Sequence, residues 1–128
     1  MTPIETVQTF LDELITGREG GKAALRRFFR PDTVWEMVGV GVMTGPEAAI
    51  EVMDKEYDAM GIDRLQVEIL AIAAVGNTVF TERVDRMLST DGREVRGARM
   101  VGVFEVEDGK IRATREYFDT AGLYARDK

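Results

Sequence analysis

In the run Thr81-Glu82-Arg83-Val84-Asp85-Arg86-Met87, an arginine and an aspartate stand two residues apart. The run continues the β-branched and aromatic stretch Thr78-Val79-Phe80, so it reads as the middle of a strand. Residues two apart in a strand leave the same face, which sets the Arg83 guanidinium beside the Asp85 carboxylate. On a wet face this is an ordinary ion pair of small energetic value. Inside a cavity it is an acid held by a fixed cation, and it can do proton chemistry. A second charged run, Thr114-Arg115-Glu116-Tyr117-Phe118-Asp119, poses the same question. Thr114, Glu116 and Phe118 share one face of that strand, and Arg115, Tyr117 and Asp119 share the other. Both faces of both strands mix polar and apolar residues, so alternation alone does not decide which face is inward.

The residues that are missing narrow the chemistry. The chain has no cysteine and no histidine. Thiolate nucleophiles, disulfides, histidine-ligated zinc and the usual near-neutral general base are therefore excluded. Ser89 is the only serine, and it sits in the turn-like Ser89-Thr90-Asp91-Gly92-Arg93-Glu94. Catalysis here falls to carboxylates, arginine, lysine, tyrosine or tryptophan. The net charge of −6 argues against nucleic acid, whose phosphates call for a basic surface. The one basic and aromatic cluster, Ala24 to Arg30, reads as a helix end with Phe28 or Phe29 turned inward. No apolar run approaches the roughly 20 residues of a membrane helix. The start Met1-Thr2-Pro3-Ile4-Glu5 lacks a basic, then apolar, leader, so a cytoplasmic protein is expected.

With 128 residues, 45% of them hydrophobic, the chain can bury the core of one domain, expected over 1–128. Thr2, Pro3 and Glu5 form a capping-box start, and Ile4, Val7, Phe10, Leu11, Leu14 and Ile15 mark one apolar stripe, with Gly20-Gly21 as the expected stop. Lys22 to Phe29 reads as a second, short helix halted before Pro31. Residues 32–42 read as one strand with Trp35 and Met37 on one face and Val34, Glu36 and Val38 on the other. A third helix follows, capped by Thr44 or Gly45, opened by Pro46 and closed by Gly61, with Ile50, Met53, Tyr57 and Met60 toward the core. Strands are then expected at 64–74, 78–88, 94–107 and 110–119, with hairpin turns at Gly92 and Gly109. Helices first and antiparallel strands last give an α+β fold: a curved, mostly antiparallel sheet packed by the N-terminal and central helices. A sheet curved around helices leaves a conical pocket whose walls are apolar except for a few working polar groups.

The segments Val79-Phe80-Thr81-Glu82-Arg83-Val84-Asp85-Arg86-Met87, Val101-Gly102-Val103-Phe104 through Gly109-Lys110-Ile111, and Arg115-Glu116-Tyr117-Phe118-Asp119 resemble the limonene-1,2-epoxide hydrolase family, within the ketosteroid-isomerase-like and nuclear-transport-factor-2-like superfamily. The resemblance is strongest over about 78–119 and reaches more weakly across the rest. It implies a cone-shaped sheet, dimeric through its outer face, with an acid-arginine-acid site deep in the cone. The family's proton-donating aspartate falls on Asp85, its bridging arginine on Arg83, and its water-activating aspartate on Glu116. A tyrosine and an asparagine that also hold the water fall on Trp35 and Met37. Trp35, Met37, Met87, Met100 and Phe118 would form the wall for a lipophilic small-molecule substrate. No cofactor and no metal is implied. Tyr117 and Asp119 belong to the motif but are expected to point away from the cavity, and Tyr57 is a candidate for its mouth. Phe80, Val84, Val101 and Val103 are apolar candidates for the outer, homodimer-forming face, which Glu36, Glu82 and Arg86 share.

The implied reaction is epoxide opening by water. One carboxylic acid protonates the departing oxygen, a second carboxylate takes a proton from water, and the arginine between them binds both. Three substitutions bear on it. Glu116 is one methylene longer than aspartate, Trp35 can donate but not accept a hydrogen bond, and Met37 offers almost none. A drier pocket also suits an isomerase or an epoxide-opening cyclase. A ligand-binding domain without turnover is the third alternative.

Overall fold

A computed structural model describes residues 1–121. Three helices and six strands follow one another as α1 (Pro3–Leu14), α2 (Arg18–Phe28), β1 (Phe29–Met37), β2 (Gly41–Thr44), α3 (Pro46–Met60), β3 (Arg64–Val75), β4 (Thr78–Leu88), β5 (Glu94–Glu107) and β6 (Lys110–Phe118). The strands form one curled, unclosed sheet in the order β2-β1-β6-β5-β4-β3. Every pairing is antiparallel except β1 with β6, which is parallel. The fold is α+β, as the order of elements predicts. The four-strand meander matches its expected bounds to within a residue or two. No helix among the described residues is long and apolar enough to cross a membrane.

The capping box closes as read: Glu5 N–H donates to Thr2 Oγ1 at 3.1 Å and Thr2 N–H to Glu5 Oε1 at 2.8 Å. Two expectations need correction. Gly20-Gly21 does not end the first helix; it lies inside α2. The break comes earlier, at Gly17, whose φ of +107° suits glycine and no helix. Gly21 instead lets the helices close up, since a Cβ there would stand 3.2 Å from the Leu14 carbonyl oxygen and 3.7 Å from Met53 Sδ. The strand expected over 32–42 is a hairpin: β1 starts before Pro31 and ends at Met37, and the chain turns back into β2. Pro31 has no N–H for the ladder, and the β1–β6 register shifts between Phe29 and Val34.

The core ties helices to sheet through aromatic rings. Phe10 of α1 lies 5.8 Å from Phe28, 5.7 Å from Phe29 and 6.3 Å from Phe104, centroid to centroid. Phe29 then meets Trp35 edge-on at 6.2 Å. Such ring pairs add about 0.5–1.5 kcal/mol each beyond their buried area. Arg26 and Arg27, in the last turn of α2, pair with Glu47 and Glu13 while Phe28 and Phe29 are both buried. Thr2→Ala removes the cap of α1, so the denaturant midpoint should fall by the equivalent of about 1 kcal/mol, with Thr2→Ser close to the parent protein. Equal midpoints for all three would show that the box contributes nothing to the fold.

Candidate active site

Thr81, Arg83 and Asp85 leave one face of β4 at successive even steps. Across the ladder Thr81 is opposite Gly102 and Arg83 opposite Met100 on β5. Gly102 is in turn opposite Glu116, and Phe104 opposite Thr114, on β6. Trp35 and Met37 of β1 stand beside Thr114 and Glu116. Four strands thus bring one set of side chains to the concave side of the sheet, and the mixed faces of β4 and β6 resolve with Arg83, Asp85, Thr114 and Glu116 inward.

Arg83 is 2% exposed. Its Nε donates to Asp85 Oδ1 at 3.1 Å and its Nη2 to Oδ2 at 2.9 Å, a two-pronged grip. Nη2 also donates to Glu116 Oε2 at 2.6 Å, and Nη1 donates to Thr81 Oγ1 at 3.1 Å. The second Glu116 oxygen, Oε1, accepts the Trp35 indole N–H at 2.7 Å. The guanidinium carbon lies 5.7 Å from the centre of the Phe104 ring. Burial works against the charged guanidinium and is the largest influence on it. The hydrogen bonds and charges of Asp85 and Glu116 outweigh that burial and hold its pKa above the ordinary arginine value. Arg83 is therefore a permanent cation between two carboxylates.

To reach Glu116 on β6 from β4, the guanidinium must cross β5. It crosses over Gly102, where a Cβ would stand 2.3 Å from Nη1 and 3.3 Å from Cζ. No residue with a side chain fits at that position while Arg83 stays in place. Sequence reading did not single out Gly102 or Thr81. Thr81 was legible in principle, two residues before Arg83 on the same face. Gly102 becomes legible only once the β4–β5 register is known.

The site forms the floor of a cavity of about 380 Å³. Every side chain singled out from the sequence lines it: Asp85, Arg83 and Glu116, with Trp35, Met37, Met87, Met100 and Phe118. Tyr57 lines it too, and burial pushes its phenol pKa up. Tyr117 is exposed and absent from the wall, as expected, but Asp119 is part of the wall. The strand ends at Phe118, so alternation no longer governs the next residue. Asp119 Oδ1 accepts the Ala121 N–H at 2.9 Å instead. Thr114, Phe104, Met43, Met53 and Arg96 also line the cavity, though the sequence reading did not count them as site residues. Glu82 and Arg86 pair with Arg99, Glu68 and Glu94, away from the site.

The arrangement sets two carboxyl groups on either side of a fixed positive charge, against a largely apolar wall. A family model described as the limonene-1,2-epoxide hydrolase catalytic domain matches residues 1–127. The chain belongs to that family. Epoxide hydrolase EphG of Mycobacterium tuberculosis is 32% identical over 93 residues, which are 73% of this chain. That match spans 59% of the relative's length, less than two thirds. A solved LEH-like epoxide hydrolase of M. tuberculosis superposes with a TM-score of 0.75 at 28% identity, covering 96% of this chain and 86% of that one. An NTF2-like protein of unknown function from Cytophaga hutchinsonii shares the fold, with a TM-score of 0.74 at 19% identity and coverage of 97% and 96%. In this limonene-1,2-epoxide hydrolase family member the cone-shaped, curled sheet expected from the resemblance is present.

Two substitutions test the geometry without a substrate. Gly102→Ala should cost about 1–3 kcal/mol by overpacking. It should also shift the emission of Trp35, the only tryptophan, as Arg83 moves off Glu116. A variant as stable as the parent, with unchanged emission, would mean that the guanidinium does not cross β5 here. Arg83→Met leaves two carboxylates buried without their cation and should cost about 3–5 kcal/mol. Adding Asp85→Leu and Glu116→Met should recover most of that loss in guanidinium chloride unfolding.

Proposed function

We propose that this chain opens an epoxide on a lipophilic small molecule by one-step, acid/base attack of water. The observation that carries the reading is Arg83 bound to Asp85 through two nitrogens and to Glu116 through one of the same nitrogens, on the floor of an apolar cavity. In this reading Asp85 carries a proton and gives it to the epoxide oxygen. Water forms a bond to one ring carbon as the bond from that carbon to oxygen breaks, and Glu116 takes the proton that water releases. The product is a diol. The cycle leaves Asp85 ionised and Glu116 protonated, and exchange with solvent restores the start. Arg83 holds both carboxylates in place and balances the charge that moves between them. Each Glu116 oxygen already accepts one hydrogen bond and has a lone pair left for water. A cavity of about 380 Å³ suits a small ligand. Met37, Met43, Met53, Met87 and Met100 give it walls that adapt to an apolar shape.

A second reading is isomerisation, or ring closure by a hydroxyl of the substrate itself. It draws on Trp35, which spends its N–H on Glu116, and on Met37 beside it, which together leave a water at Glu116 with few partners. The third is ligand binding without turnover.

A panel of racemic cyclic and terpene epoxides in ¹⁸O-labelled water separates the three, with products followed by chiral chromatography and mass. The expected product is a diol carrying one ¹⁸O, lost by a factor of about 10²–10⁴ in Asp85→Asn. A product of unchanged mass supports the second reading. No product, with an epoxide raising the melting temperature, supports the third.

The reading includes a homodimer through the outer face of the sheet. Phe80, Val101 and Tyr117 are 41%, 42% and 45% exposed there. Val103, named from the sequence with Phe80 and Val101, is 6% exposed and has little surface to contribute. Val101→Glu should convert a dimer to a monomer in sedimentation; a monomeric parent protein would rule the dimer out.

A further inference from the structure

Thr114 Oγ1 is, among the described residues, the one buried side-chain nitrogen or oxygen without a hydrogen-bond partner. The other buried threonines show how unusual this is. Thr6 donates to the Thr2 carbonyl, Thr33 to the Ile111 carbonyl and Thr81 to the Gly102 carbonyl. Thr114 is 3% exposed and is part of the cavity wall. It stands two residues before Glu116 on the same face of β6, beside Trp35 on one neighbouring strand and Phe104 on the other. A buried polar group left unpaired calls for an explanation, and an ordered water or a catalytic role is the usual one.

The needs of a water at Glu116 match that unpaired hydroxyl. The water donates one hydrogen to the carboxylate and must place its second hydrogen on another acceptor. Arg83 and Trp35 are donors only. Asp85 is committed to the epoxide oxygen in the hydrolase reading, and both its oxygens accept from Arg83. Met37 and Met100 are thioethers and accept weakly. The Thr114 hydroxyl, two residues before Glu116 on the same face of β6, is an acceptor with no partner of its own. Its Cα lies about 6.6 Å from that of Glu116 along the strand, a gap that one water fills when the two polar ends lean together. The oxygen is covered as it stands. A staggered step of χ1, roughly 120°, would re-aim it, and holding a water at Glu116 requires the rotamer that faces the cavity.

We propose that the Thr114 hydroxyl is the second ligand of the attacking water, accepting the hydrogen that does not go to Glu116. It transfers no proton; it orients the water lone pair toward the ring carbon. The proposal rests on the hydrolase reading and adds the residue that completes the water's coordination in a site where Trp35 and Met37 do not.

The test is steady-state diol formation, on whichever epoxide of the panel the parent protein hydrolyses, by Thr114→Val and Thr114→Ser. Valine keeps the shape and removes the hydroxyl; serine keeps the hydroxyl. The expected result is a kcat lower by about 10–100-fold in Thr114→Val, with KM within about twofold and an unchanged or higher melting temperature. Thr114→Ser should recover kcat to within about threefold of the parent value. A crystal structure of the parent protein should show a water within hydrogen-bond distance of both Thr114 Oγ1 and Glu116, absent in Thr114→Val. Parent-like kcat in Thr114→Val, or an equal loss in Thr114→Ser, overturns the proposal and leaves the hydrolase reading standing. A parent protein that forms no diol on any member of the panel overturns both.

Discussion

One buried cation organises this protein. Arg83 is almost wholly enclosed, yet it reaches a carboxylate on its own strand and another two strands away. Removing such charges from water costs several kcal/mol per ion, and only short, well-directed hydrogen bonds to the opposite charge offset it. The surroundings are built to that demand. Thr81 accepts the nitrogen that the carboxylates do not reach, Phe104 presents its ring to the guanidinium, and Gly102 clears the path across β5. The strand register is therefore a chemical requirement as much as a folding one. A slip of one residue in β5 would replace Gly102 by a valine on the side where Arg83 lies.

The elements of the fold are legible because local signals agree with the global one. A capping box, apolar stripes at helical spacing and glycine turns between β-branched runs mark most boundaries. The misread places are those where local and tertiary demands differ. Gly20-Gly21 looks like a stop, but it serves close helix packing. The strand over 32–42 hides a turn because Gly39, Val40 and Gly41 continue the β-like pattern Val-x-Val-x-Val. The alternation of β6 runs out at Phe118, so Asp119 joins the wall. For the site, the residue types of Arg83, Asp85 and Glu116 are readable. Their direction is not, because a cavity that needs charges inside gives its strands no clean apolar face. Resemblance to a family, rather than periodicity, broke that tie. The roles of Gly102 and Thr114 are not legible in sequence, because one matters for what it lacks and the other for a partner it lacks.

Trp35 connects the two halves of this picture. Its ring belongs to the aromatic chain from Phe10 through Phe29, and its N–H belongs to Glu116. Helix packing and site geometry are thus carried by one side chain. A disturbance in the α1–α2 core has a short route to the Glu116 carboxylate, through ring contacts of about 6 Å.

The lone parallel pairing, β1 with β6, has a consequence for how the protein comes into being. Trp35 and Glu116 are 81 residues apart in the chain. As the chain leaves the ribosome, α1, α2, the β1–β2 hairpin and α3 all emerge before the strand that completes their sheet. Until β6 arrives, the inner side of β1 has no neighbour and Arg83 has only one of its two carboxylates. Long-range parallel contacts of this kind close late and slowly. The Arg83 site is then among the last parts to assemble, and nascent chains carry an open sheet edge beside exposed aromatic rings. That interval is when this chain has most to gain from a chaperone.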